Sequence, residues 1–153
     1  MLTSFSGPCL KAVYLLSVAQ DPRVFEPLIE MSNRSCPFSC ERAAGGLMRL
    51  GDRRGLPRLL ELLRKNDACN WSVVSAIAKI GDQTAVGALI DTIPAGGAMG
   101  AEARFRAIEE ITGLSLDGIR SKWGLLYYDN LKAFHRAMHE WWATHKHLAT
   151  IKR

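Results

Sequence analysis

The feature that most constrains this chain is self-similarity at a fixed period. Three segments align on an aspartate: Leu15-Leu16-Ser17-Val18-Ala19-Gln20-Asp21, Gly46-Leu47-Met48-Arg49-Leu50-Gly51-Asp52, and Ala76-Ile77-Ala78-Lys79-Ile80-Gly81-Asp82. The aspartates are 31 and 30 residues apart. Nine, eight, five, four and two positions before them stand Ala12, Val13, Leu16, Ser17 and Ala19 in the first copy. The second has Ala43, Ala44, Leu47, Met48 and Leu50, and the third Val73, Val74, Ile77, Ala78 and Ile80. Only Ser17 is not apolar. Residues so spaced lie on one stripe of an amphipathic helix.

A second stripe follows each aspartate at positions three, four, seven, eight and eleven. It comprises Val24, Phe25, Leu28, Ile29 and Ser32, then Gly55, Leu56, Leu59, Leu60 and Leu63, then Ala85, Val86, Leu89, Ile90 and Ile93. A further helix of the first type carries Phe105, Ile108 and Ile111 before Thr112-Gly113. Gly51 and Gly81 suit the left-handed residue that ends a helix, and Asp52 and Asp82 the N-cap of the next. Asp21-Pro22 reads as an N-cap followed by a proline in the first turn. No segment alternates apolar and polar residues over a strand's length. The expected fold is all-α: a short right-handed α-solenoid of antiparallel helix pairs, closed by a C-terminal helical cap. The expected organisation is one domain over 1–153, with repeats at 9–113 and an aromatic helical cap at 114–153.

Composition removes other classes. The 153 residues are 48% hydrophobic and 23% charged, which suits a packed globular core rather than a disordered chain. No apolar run reaches membrane-spanning length. The net charge of +5 is uneven: residues 49–65 carry Arg49, Arg53, Arg54, Arg58, Arg64 and Lys65 against Asp52 and Glu61, whereas 66–118 are acidic and 119–153 basic. Local patches follow, rather than a uniformly basic surface. Four cysteines in a chain of this length imply reduced thiols and a cytoplasmic location. The apolar stretch 12–19 has only Lys11 beside it and no leading charge, so it is expected to remain as a packed first helix rather than to act as a signal peptide.

Small-then-large apolar residues leading into Leu50-Gly51-Asp52 and Ile80-Gly81-Asp82 give the chain its resemblance to a family. Over about residues 9–113 it resembles the short HEAT-like repeats first described in phycobilisome (PBS) lyase subunits. Where that family opens its first helix on Val-Arg, this chain has Pro8-Cys9, Ser39-Cys40 and Cys69-Asn70. The departure bears on the inter-repeat Asp–Arg ladder that the resemblance implies.

The tail reads as two more helices, Ile119 to Tyr128 and Leu131 to His147. On the second, Leu131, Phe134, Met138, Trp141, Trp142 and His145 share a face. Terminal repeats must cover an otherwise exposed core, so a cap is expected; a Trp/Tyr groove for a ligand is the alternative. His135 and His139 have the four-residue spacing of two metal ligands on a helix, with His145, His147 and Glu140 as further donors. Their order is not the His-Glu-x-x-His of metalloproteases, and half-buried histidines without a metal are expected. Cys36 and Cys40 have neither redox nor zinc-knuckle spacing, and small buried thiols are expected. Ala95-Gly96-Gly97-Ala98-Met99-Gly100 lacks the Gly-Lys-Ser/Thr of a nucleotide loop and is expected to be an inter-helix loop. No nucleophile with an adjoining base stands out, so no cofactor, metal or enzymatic activity is expected.

The second helices carry the remaining signal. Two, six, nine and thirteen positions after each aspartate stand Arg23, Pro27, Glu30 and Arg34, then Arg54, Arg58, Glu61 and Lys65, then Thr84, Ala88, Asp91 and Ala95. These offsets avoid the apolar stripe. Arg23, Arg54, Arg58, Glu61 and Lys65 are therefore expected on one exposed concave face that binds a protein partner, against the plainer reading of a solvated helix surface. A nucleic-acid partner is the alternative, which the acidic row Glu30, Glu61 and Asp91 disfavours. The namesake of the resemblance adds a third reading, an accessory subunit of a cofactor-attaching lyase.

Overall fold

The repeat predicts where helices must break, and the breaks are built as that chemistry requires. A computed structural model describes residues 15–16, 18, 21–32, 37–65, 70–93, 97–119 and 131–149. Gly51 and Gly81 adopt φ of 61° and 72°, in the left-handed region that costs a side chain. Their amides bond back to the carbonyls of Leu47 and Ile77 at 3.0 and 3.2 Å, which closes the preceding helices. The following aspartate is extended, and its carboxylate accepts from the amide two residues on. These bonds are Arg23 N to Asp21, Arg54 N to Asp52 and Thr84 N to Asp82, at 2.9, 2.9 and 3.0 Å. Each cap opens a single 3₁₀ turn (Pro22–Val24, Arg53–Gly55 and Gln83–Ala85) before the α-helix begins.

The α-helices are α1 Phe25–Ser32, α2 Pro37–Leu50, α3 Leu56–Lys65, α4 Asn70–Ile80, α5 Val86–Thr92, α6 Gly97–Thr112 and α7 Leu131–His145. No strand occurs among the described residues, and the fold is all-α. Helix α2 packs on α1 and α4, α4 packs on α3 and α6, α3 on α5, and α5 on α6 and α7. The first helices α2, α4 and α6 thus form one layer, and α3, α5 and α7 form the other. No described helix is long and apolar enough to cross a membrane.

Burial follows the stripes. In the second and third copies every stripe position is buried or half-buried, and Leu59, Ile77 and Leu89 are fully enclosed. In the first copy Phe25 and Leu28 are buried and Leu16 packs against the core, while Leu15 and Val18 face outward. Ala12, Val13, Ser17 and Ala19 lie outside the described residues. So do Cys9, Cys36, Cys69 and the side chain of Cys40, and most of the expected helix from Ile119 to Tyr128. The glycine segment departs from expectation: Gly97, Ala98, Met99 and Gly100 already belong to α6. Gly100 tolerates the helix because it leaves room for Arg104, whose Nη1 would stand 3.0 Å from an added Cβ. Arg104 is itself buried, with Nε donating to Thr92 Oγ1 at 3.0 Å and Nη1 to the Gly100 carbonyl at 2.9 Å.

Helix α7 uses the face expected of it. Phe134 and Met138 are buried, and the Phe134 ring meets Phe105 of α6 edge-on at 5.6 Å. Trp141 and Trp142 pack partly against the same core, and His145 stacks on Trp141 at 5.3 Å.

Candidate functional site

The charged residues expected on the concave face, Arg23, Arg54, Arg58, Glu61 and Lys65, are held by neighbours one turn away or less. Arg23 forks onto Asp21, its Nε 2.9 Å from Oδ2, and Arg54 forks onto Asp52, its Nε 3.0 Å from Oδ2. Side-chain hydrogen bonds from Arg23, reinforced by its backbone amide, lower the Asp21 carboxyl from 3.8 to about 2. The corresponding bonds from Arg54 lower Asp52, and those from the Thr84 hydroxyl and amide lower Asp82. These junction aspartates are therefore paired within their own repeat. Links also cross repeats: the Arg54 guanidinium lies 4.2 Å from the centroid of the Phe25 ring, in cation–π range, and the charge of Arg53 further lowers Asp82 of the next repeat.

On α3, Glu61 sits between two cations, with Lys65 Nζ at 2.9 Å and Arg58 Nη1 at 2.6 Å. Hydrogen bonds from Lys65 and then Arg58 lower its carboxyl from 4.5 to about 2. Arg23, Arg54, Glu61 and Lys65 are exposed, as the offsets predicted. Arg58 is not: its side chain is only 14% exposed. The same position is half-buried at Pro27 and buried at Ala88. Second helices pack on one another, so the flank turned toward the neighbouring helix cannot stay open. The offset of six was misassigned to the solvent side, although the other offsets hold wherever the side chains are described.

The acidic row also ends differently from its beginning. Asp91 meets α7, where His139 Nε2 lies 2.8 Å from its Oδ1 and His135 Nε2 lies 3.6 Å from the same oxygen. The two imidazoles stand edge to face with centroids 4.7 Å apart. Sequence spacing found the two histidines but not Asp91 as their companion, because the pairing depends on α7 docking against α5.

The first-helix layer bears a feature that the apolar stripes do not reveal. An open groove of about 290 Å³ runs across α2, α4 and α6, lined by Met48, Trp71, Val74, Ser75, Ala78, Lys79, Ala103, Arg106, Ala107 and Glu110. Trp71 at its edge is 64% exposed. The signal was present in the sequence: Trp71 lies eleven positions before Asp82, off every buried offset, where a tryptophan has no packing reason to stand. Arg106 on the same groove pairs with Glu102 at 2.9 Å.

Two layers of helices, joined by recurring glycine–aspartate turns, define a helical-repeat protein. Residues 40–65, the latter part of α2 with its turn and all of α3, match the family model of the PBS lyase HEAT-like repeat. Over those residues the chain is similar to a HEAT-like repeat, and the same helix–turn–helix pattern recurs around Asp82. Comparison with curated proteins and with solved structures found no significant match.

Proposed function

We propose that this chain is a non-enzymatic repeat scaffold, and that a protein partner seats an apolar side chain in the groove over α2, α4 and α6. The observation that carries the reading is Trp71, a large aromatic 64% exposed beside the apolar floor of Val74, Ala78, Ala103 and Ala107. Tryptophan is enriched among residues that dominate binding energy, because it brings a large apolar area at little entropic cost. Lys79 and Glu110 both stand on the groove and Arg106 is already paired with Glu102, so the partner's gain there comes from its apolar anchor rather than from charge. Three packed helices form the floor, so little ordering is required on binding.

The second-helix row of Arg23, Arg54, Arg58, Glu61 and Lys65 is the competing surface. Its arginines already face carboxylates, so a partner there gains less from its charges than the bare sequence implied. The same pairing weakens a nucleic-acid reading, in which unopposed cations would meet phosphates. The test is affinity capture from native cells with three immobilised proteins: wild type, Trp71→Ala and the double variant Arg54→Glu/Arg58→Glu. Circular dichroism first establishes that all three are folded. The groove reading expects one protein to be lost with Trp71→Ala and retained by the charge reversals. The opposite pattern assigns binding to the second-helix row, and recovery abolished by nuclease assigns it to nucleic acid.

A further inference from the structure

We propose that Asp91, His135 and His139 form a binding site for a divalent zinc-like cation that clasps α7 to α5. Their candidate ligand atoms all lie within 4.8 Å of one another. The two histidines are one helical turn apart on α7, which directs both imidazoles to one side, and Asp91 supplies a carboxylate from the opposing helix. A single hydrogen bond, His139 Nε2 to Asp91 Oδ1 at 2.8 Å, uses part of this donor set. His135 Nε2 is left buried and, among the described residues, without a hydrogen-bond partner, although it faces the same oxygen at 3.6 Å. A buried nitrogen without a partner costs free energy, and a cation that accepts its lone pair removes that cost.

The donor set selects the ion. Two imidazole nitrogens and one carboxylate suit zinc and its first-row neighbours, whereas magnesium and calcium require more oxygen ligands. Zinc–ligand bonds of about 2.0–2.2 Å place tetrahedral ligand atoms roughly 3.3–3.5 Å apart, so the three groups need shifts of about 1 Å or less. Their partial exposure (59% for the Asp91 side chain, 32% for His135 and 41% for His139) leaves room for that adjustment and for water at a fourth position.

The experiment uses tag-free full-length protein and zinc ion alone. Isothermal titration of wild type should show one saturable site, and zinc should raise the melting temperature, because an ion bound across two helices stabilises the folded chain by mass action. Magnesium at equal concentration should do neither. The variant His135→Gln/His139→Gln keeps the four cysteines and the other two histidines, and it should bind zinc at least about a hundredfold more weakly, since even loss of a supporting residue costs 10–100-fold. Asp91→Asn, an exposed isosteric change, should weaken zinc binding while leaving the metal-free melting temperature within a few degrees. Absence of zinc binding by wild type, or equal binding by the folded histidine and aspartate variants, would overturn the proposal.

Discussion

At the scale of single residues, the same substitution at two glycines should have opposite signs. An added Cβ meets nothing within 4 Å at Gly51 or at Gly87, so neither change is decided by a clash. Gly51 holds φ at 61°, and Gly51→Ala should destabilise by about 1–2 kcal/mol through backbone strain alone. Gly87 sits inside α5, and Gly87→Ala should stabilise by roughly 0.5–1 kcal/mol through lost unfolded-state entropy. Urea unfolding of both variants measures the pair. In the core, Leu59→Ala should cost about 2–5 kcal/mol, because Leu59 is fully enclosed between the layers. The glycines and leucines were legible because steric preference and periodicity constrain them directly. Arg58 and Arg104 were not: a long side chain can follow a helix flank into a neighbour's shadow, and periodicity does not say which polar residues will do so.

At the scale of an element, each second helix depends on its cap and on how its charges are matched. Asp82→Ala removes the acceptor for the Thr84 amide and hydroxyl and should cost about 0.5–2 kcal/mol, read from the thermal midpoint. On α3 the Glu61 carboxyl is lowered to about 2, so its ion pairs contribute fully above about pH 4.5 and are lost as pH falls toward 2. The stability gap between wild type and Glu61→Gln should therefore be widest near neutral pH and narrow through that window. A gap independent of pH would mean that the pairs with Lys65 and Arg58 do not persist in solution. Helix boundaries near Asp21, Asp52 and Asp82 followed from local chemistry. The seat of α7 on α5 did not, since no sequence offset relates Asp91 to His139 across 48 residues.

At the scale of the whole molecule, repetition explains both the fold and the two surfaces it presents. Each helix pair buries its stripes against the next, so the remaining offsets of neighbouring repeats lie side by side. On the second helices those offsets carry ion pairs that largely satisfy one another. On the first helices, small residues at Ala78, Ala103 and Ala107 leave a groove that Trp71 borders. The sequence pattern conveyed the layers well and the groove poorly, because a groove is defined by the volume missing between helices rather than by any one stripe. The most direct measurement places a photoreactive residue at position 79, exposed on the groove beside Trp71, or at position 54 and exposes each protein to the captured partner under light. The groove account predicts a covalent adduct from position 79 and little from position 54; an adduct from position 54 alone, or equal yields from both, would contradict it.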